Sequence, residues 1–278
     1  MKSLFQICCL SLFLVSFWAQ HALAEKRTQS QGLESVLTYD VYAGGVHALK
    51  ASLILKKTPK SYNVFLSAGT QGFLKKMANW SGKYTSVGRI RGDKSMPLIH
   101  ESSSTWKGKT EVKTFQYDGR GNFKSYSETE EGKKKPAQEI DLSLAKNSTD
   151  VLSSTFMLLM TLPKSQICSG NDLIFDGDRN FRLQFKNTKT ETLEKTRYNV
   201  FAGETISCVV EVKPEQGKWR KKPRGWLSIQ EQGRNLGSLP TIWFGQLPDR
   251  RDIYVPVKIR VKTEYGTLFM HLTSAKTQ

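Results

Sequence analysis

Downstream of residue 24 the chain has no apolar run near the roughly 20 residues that a bilayer-spanning helix needs, so a transmembrane segment is excluded there. Histidine is scarce. His47, His100 and His271 stand far apart with no H-E-x-x-H spacing, which removes the two-histidine zinc helix of a metallopeptidase. No G-x-S-x-G stretch occurs, so the strained serine elbow of an α/β-hydrolase is missing too. Asp172, Asp176 and Asp178 lack the distant glutamate of a calcium loop, and Asp176-Gly177-Asp178-Arg179 reads as a tight hairpin turn. No cofactor motif is present, and no metal set is assigned. Acidic residues are few, 25 against 42 lysines and arginines, for a formal charge of +17.

What is present begins at the N-terminus. Lys2 precedes an apolar stretch from Leu4 to Trp18, and Ala22-Leu23-Ala24 supplies a small-x-small end before Glu25. That is the layout of a cleaved secretory signal over residues 1–24, so a periplasmic, exported protein is expected. Cys8 and Cys9 lie inside this segment without the small-residue pattern of a lipoprotein signal, so no lipid anchor is expected. Residues 25–34 form a polar, flexible leader. Roughly 250 residues remain, within the range of one all-β barrel or sandwich. Almost all the positive charge stays with them, and a cationic exported protein expects polyanionic partners: acidic lipids, lipopolysaccharide, cell-wall carboxylates. Export argues against nucleic acid.

The dominant period is two. Leu37, Tyr39 and Val41 alternate with polar residues, as do Ala51, Leu53 and Leu55, then Tyr62, Val64 and Leu66. Phe115 and Tyr117, then Phe181, Leu183 and Phe185, then Tyr198 and Val200 continue the pattern. Cys208, Val210 and Val212, Leu227 and Ile229, Val257, Ile259 and Val261, and Leu268, Met270 and Leu272 complete it. Antiparallel strands with one wet face read this way, and Ala43-Gly44-Gly45, Asp118-Gly119-Arg120-Gly121, Asp176-Gly177 and Tyr265-Gly266 supply the turns. One segment departs. Asp150 can cap a helix over 150–162 that carries Val151, Leu152, Phe156, Leu159 and Met160 on one face, with Pro163 as its exit. The expected fold is all-β: a single domain over 35–275, an open or broken antiparallel barrel with this one apolar helix packed in its concave face. Lys133-Lys134-Lys135-Pro136 reads as a loop leading to it.

Two cysteines remain beyond the signal, Cys168 and Cys208. An even pair in an oxidising compartment points to a disulfide closing a loop of about 41 residues, worth roughly 4 kcal/mol in the chain-entropy model; a metal or redox pair is the alternative.

Several short patterns then occur in order: Leu37-Thr38-Tyr39-Asp40-Val41-Tyr42, Ser86-Val87-Gly88, Phe115-Gln116-Tyr117-Asp118, Asp150-Val151-Leu152-Ser153 and Ile174-Phe175-Asp176-Gly177-Asp178-Arg179. Gly203-Glu204, Ile242-Trp243-Phe244 and Tyr254-Val255-Pro256-Val257-Lys258-Ile259 follow. Over about Val36 to Thr273 the chain resembles the bacterial periplasmic family called domain of unknown function 3108. The resemblance implies a curved, incompletely closed sheet, similar to periplasmic lipoprotein carriers and β-spiral envelope-integrity proteins. It also implies a bond between Cys168 and Cys208. It implies no catalytic residue.

The sharpest surface feature is Lys218, Trp219, Arg220, Lys221, Lys222, Arg224 and Trp226, five cations between two indoles. Cations suit phosphates or carboxylates, while tryptophan suits a lipid headgroup or a sugar face; a solvated hairpin tip is the plain alternative. Lys75-Lys76 with Trp80, and Trp106-Lys107-Gly108-Lys109, repeat the theme. The reading that follows is a non-enzymatic envelope protein that binds an anionic lipid, lipopolysaccharide or lipoprotein at this rim and supports envelope integrity. The alternatives are a scaffold whose open sheet edges pair with a periplasmic protein, and a cell-wall glycan binder or hydrolase.

Overall fold

The structure is a computed structural model that describes residues 32–135, 141–222, 226–264 and 266–277. The signal segment and most of the leader lie outside these residues.

One 14-stranded sheet organises the chain, in the order β8-β7-β6-β5-β4-β3-β2-β1-β14-β13-β12-β11-β10-β9. The strands are β1 (Leu33–Ala43), β2 (Val46–Lys57), β3 (Ser61–Thr70), β4 (Trp80–Arg91), β5 (Lys94–Trp106), β6 (Lys109–Tyr117) and β7 (Phe123–Glu130). They continue with β8 (Lys133–Lys134), β9 (Ser169–Phe175), β10 (Arg179–Leu193), β11 (Gly203–Gly217), β12 (Thr241–Leu247), β13 (Arg250–Thr263) and β14 (Gly266–Thr277). Each sequential neighbour pairs antiparallel, and β14 returns to β1 with Ala43 opposite Leu268. The sheet is not closed: β8 and β9 are its edges. Aromatic packing spans the gap instead. Phe115 of β6 meets Phe175 of β9 edge-on at 6.2 Å, and Phe123 meets Phe175 at 5.3 Å. The open edge of β9 is partly covered by a parallel bridge from Thr149 to Ile174, which satisfies backbone groups that would otherwise seek a partner strand.

The helix expected in the concavity is there, as α2 (Val151–Ser165), preceded by the short helix α1 (Gly72–Met77) and followed by α3 (Trp226–Asn235). Asp150 caps α2, its side chain accepting from Ser153 N–H at 2.9 Å. Phe156, Leu158, Leu159 and Leu162 are buried among Tyr39, Tyr62, Val210, Phe244 and Val255 from across the sheet. Phe156 stacks on Tyr62 with centroids 4.7 Å apart. The plug is tied down at its far end, where the Tyr254 hydroxyl donates to Gln166. Cys168 and Cys208 are bonded across a separation of 40 residues, joining the start of β9 to β11.

Several expectations need correction. Leu33 and Glu34 pair with Lys57 and Lys56 in β1, so the last two residues of the expected flexible leader are strand. Leu227 and Ile229 lie in α3 rather than a strand; Ile229 also stands i+3 from Trp226, and that helical spacing prevails over the two-residue alternation. Tyr198 and Val200 sit in the connection between β10 and β11, where Val200 N–H reaches Leu272 C=O. Lys133 and Lys134 form a two-residue edge strand, not a loop. Pro163 lies inside the last turn of α2, which runs on to Ser165 and ends at a left-handed Gln166. Val151 is 40% exposed, so the buried face of α2 is rotated toward Ser153 and Ser154. The one apolar helix expected in the concave face is α2; among the described residues two further α-helices, α1 and α3, accompany it.

Candidate functional site

Residues opposite one another in neighbouring strands point to the same face. Register therefore assigns one concave surface to Leu66 of β3, Tyr84 of β4, Ser102 and Ser104 of β5, and Glu111, Lys113 and Phe115 of β6. The first turn of α2 covers only the part of this surface nearest Ser86 and His100. Beyond it lies a cleft of about 460 Å³, roofed by Ile174, Phe175 and Phe181 from β9 and β10. Its floor and roof are apolar, its β5–β6 wall carries hydroxyls and the Glu111–Lys113 pair (3.5 Å), and its volume falls in the range of small-ligand sites.

Beneath the cleft a buried polar network anchors the helix. Asp150, 2% exposed, accepts from Ser153 N–H, from the Ser153 hydroxyl at 2.6 Å and from the Ser86 hydroxyl at 2.6 Å. Ser153 also bonds the Tyr62 hydroxyl at 2.6 Å. Ser86 has one proton and gives it to Asp150, so its oxygen is left to accept from His100 Nδ1–H at 2.7 Å. This is a serine, a histidine and an aspartate, but not in the order of a nucleophilic triad, where histidine takes the serine proton and aspartate bonds histidine. Burial lowers the His100 pKa, and the Asp150 charge 3.4 Å away offsets this only in part. Burial raises Tyr84, which lines the cleft, and raises Tyr62, with Asp150 adding to the latter. His100 is therefore neutral and the tyrosines protonated at physiological pH.

The expected rim is divided. Lys218, Arg220, Lys221 and Lys222 are exposed, and Arg224 lies outside the described residues. Trp219 is folded back: its Nε1–H donates to Gln216 C=O at 3.1 Å, Arg179 covers its ring at 4.3 Å, and the ring meets Phe181 edge-on at 6.3 Å. Trp219 is thus linked to the cleft through Phe181, which lines it, without lining the cleft itself. Trp226 opens α3 at 40% exposure. The rim is a strand-to-helix connection, not a hairpin tip. The two weaker basic-aromatic groups belong to the same end of the strands: Trp80 lies opposite Trp106 in register, and Trp80 Nε1–H donates to Ser104 in the cleft wall. Lys107 rides 5.9 Å from the Trp106 ring.

Tyr84, Ser102, Ser104 and Lys113 were not legible as site residues. One signal could have found them: Glu101-Ser102-Ser103-Ser104-Thr105 is polar at every position of an interior strand, and an interior strand without an apolar face must line something wet. Among the described residues no group of three histidines, cysteines, aspartates or glutamates has the spacing of a metal site. None of the described helices is long and apolar enough to cross a membrane.

Among solved structures the chain is similar to a β-barrel-like DUF1849 protein from Brucella abortus, 7% identical, TM-score 0.45, covering 90% of this chain and 98% of that one. It is also similar to a DUF1329 family protein from Desulfovibrio piger, 9% identical, TM-score 0.22, covering 93% and 91%. No curated protein matches it. The family model for the protein of unknown function DUF3108 matches residues 38–273, nearly the whole described sheet, and the chain belongs to that family.

Proposed function

We propose that this is a non-enzymatic protein of the bacterial periplasm, exported by cleavage after Ala24, that takes up an anionic amphiphile of the cell envelope. The apolar portion enters the cleft, and the anionic portion meets the cations at its mouth. The observation that carries the reading is the cleft itself: beside α2 about 460 Å³ remains between apolar walls, with Lys113 in the lining and Trp219 packed on the roof residue Phe181. A lipid, lipopolysaccharide or lipoprotein element offers that combination of acyl chain and charge. Support of envelope integrity is the role such binding would serve.

The non-enzymatic reading is supported by the Ser86–His100–Asp150 arrangement. Ser86 is fully buried, and its proton is committed to the aspartate that caps α2. The scaffold reading has its own support in the edge strand β8, although the Thr149 bridge obstructs the other edge.

The test is titration of the mature protein with lysophosphatidylglycerol, beside native mass spectrometry of protein released from its own periplasm. Binding should weaken at least ten-fold in Ser104→Trp, whose indole would occupy the cleft, while the circular dichroism spectrum and Tm are retained. A bare mass from the periplasm together with identical titrations of wild type and S104W would sink the cleft reading. Co-purified protein in place of lipid would favour the scaffold.

A further inference from the structure

The face of the sheet turned away from α2 carries a second, separate constellation. In β11, Ile206, Cys208 and Val210 point into the core, so Thr205, Ser207, Val209 and Glu211 point outward. Register extends this outer face along one row: Lys189 of β10 lies opposite Ser207, Ser207 opposite Trp243 of β12, Trp243 opposite Lys258 of β13, and Lys258 opposite His271 of β14. Arg260 lies opposite Thr241 in the adjoining row. These residues surround a pocket of about 590 Å³, floored by Trp243 and Phe269 and edged by the hydroxyls of Ser238 and Thr241.

The charge in this pocket is unbalanced. Lys258 Nζ lies 4.9 Å and Arg260 Cζ 5.5 Å from the centre of the same Trp243 ring, so an aromatic face serves two cations at once. Glu191 is the acidic member of the pocket lining. It already binds Lys189 at 2.9 Å and accepts from Trp243 Nε1–H. Neither Lys258 nor Arg260 has a carboxylate within salt-bridge distance among the described residues. Arg260 Nε is buried without a hydrogen-bond partner, an arrangement that costs free energy unless something else supplies the acceptor. The strain registers on the neighbours. Burial lowers the Lys258 pKa, Glu191 offsets this, and the charges of Arg260 and Lys189 lower it further. Burial and the Lys258 charge lower His271.

We propose that this outer-face pocket is a second binding site, which takes a phosphate group through Lys258, Arg260 and Lys189 with the hydroxyl of Ser238; the Thr241 hydroxyl donates to Leu239 C=O at 3.2 Å and accepts from Arg260 Nη2 at 3.5 Å, so it orients the guanidinium rather than the anion. Three cations against one carboxylate leave an excess that a phosphate dianion would neutralise. A planar guanidinium with a free Nε–H beside point-charge ammonium groups and the Ser238 hydroxyl suits a tetrahedral oxyanion better than a single carboxylate. The phosphate could be borne by a soluble ester or by a lipid headgroup. The pocket does not share a lining residue with the cleft, so it stands independently of the proposed cleft ligand.

The experiment titrates the mature protein with inorganic phosphate by calorimetry at low salt, and separately sediments it with phosphatidylglycerol and phosphatidylcholine vesicles. Lys258→Met and Arg260→Gln should each weaken phosphate binding at least ten-fold. Ser104→Trp in the cleft and Lys124→Glu on β7, an exposed residue that lines neither pocket, should leave it unchanged. Tm and circular dichroism identify any variant that fails to fold, and in wild type the Lys258 Nζ resonance gives a readout free of mutation: its pKa should rise when phosphate is added. Sedimentation with phosphatidylglycerol vesicles alone, lost in K258M and reversed by phosphate, assigns the lipid source. Phosphate binding without sedimentation assigns a soluble ester. The proposal is overturned if neither probe binds, or if folded K258M and R260Q bind as wild type does.

Discussion

Replacing Asp150 separates its roles as acceptor, cap and charge. In Asp150→Ala the Ser153 N–H loses its cap partner, a change worth about 1 kcal/mol and up to about 2. The buried Ser86 and Ser153 hydroxyls lose charge-assisted bonds of 2.6 Å. An orphaned buried donor costs about 1–3 kcal/mol. Relaxation reduces that sum: Ser153 can turn toward the Tyr62 hydroxyl, and Ser86 can donate to His100 Nδ1 if the imidazole moves its proton to Nε2. The expected loss is about 2–4 kcal/mol. Asp150→Asn should cost much less, about 1 kcal/mol. Its Oδ1 keeps the cap and Ser86 bonds, and its amide can donate to Ser153 once that hydroxyl reverses toward Tyr62. Urea unfolding of the mature, disulfide-intact protein measures both; with a slope near 3 kcal/mol/M, D150A should lower the midpoint by roughly 1 M. Removing the Asp150 charge should also drop the His100 pKa further, which imidazole NMR reads directly. Equal destabilisation by D150A and D150N, or an unmoved His100 titration in D150A, would refute the hydrogen-bond accounting.

Phe156→Ala empties the space stacked on Tyr62 and should cost about 3–5 kcal/mol in the same urea assay. Cys168→Ser with Cys208→Ser should remove roughly 4 kcal/mol, less any change in native-state strain, and non-reducing peptide maps of wild type should show the two peptides joined. His100 and His271 are both held below the ordinary histidine value of 6.5. Below pH 6.5 the unfolded chain therefore binds more protons than the folded one, and stability is lost as pH falls from 6.5 through the folded pKa values. Thermal melts near pH 5.5 should show a lower Tm than at pH 7.5, and His100→Gln should reduce that difference; a flat profile would contradict the burial of both rings. Lys221→Glu with Lys222→Glu should weaken lysophosphatidylglycerol binding and steepen no salt dependence, since exposed cations act through a screened field. Unchanged affinity would remove the rim from the proposed site.

Strand alternation made the all-β, one-layer character of this chain legible wherever a strand has one dry face. Leu37, Tyr39 and Leu53 declare themselves because α2 dries the surface they point to. The same logic explains the strands that stayed hidden. β5 is polar on both faces from Glu101 to Thr105, where it walls the cleft, so period two leaves no mark on Ser102, Ser103 and Ser104. The helix over 150–162, its Asp150 cap and the cysteine pair needed only local spacing or compartment chemistry, and these were read without coordinates. The short run at 226–229 was ambiguous because Leu227 and Ile229 fit period two while Trp226 and Ile229 fit the i, i+3 spacing of a helix.

Tertiary structure alone decided where separated side chains meet. Ser86, His100 and Asp150 are brought together by the pairing of β4 with β5 and the docking of α2, and no local pattern encodes their distances. Trp219 was visible as a tryptophan among cations, yet only the fold turns its ring onto Phe181, a residue of the cleft roof. Lys189, Trp243 and Lys258 come from three strands, and it is the register of β10 to β13 that aligns them across one outer face. Sequence determines which face of each strand is dry, because hydrophobic burial acts residue by residue; site geometry depends on strand pairing and register between distant segments, which is a property of the whole sheet.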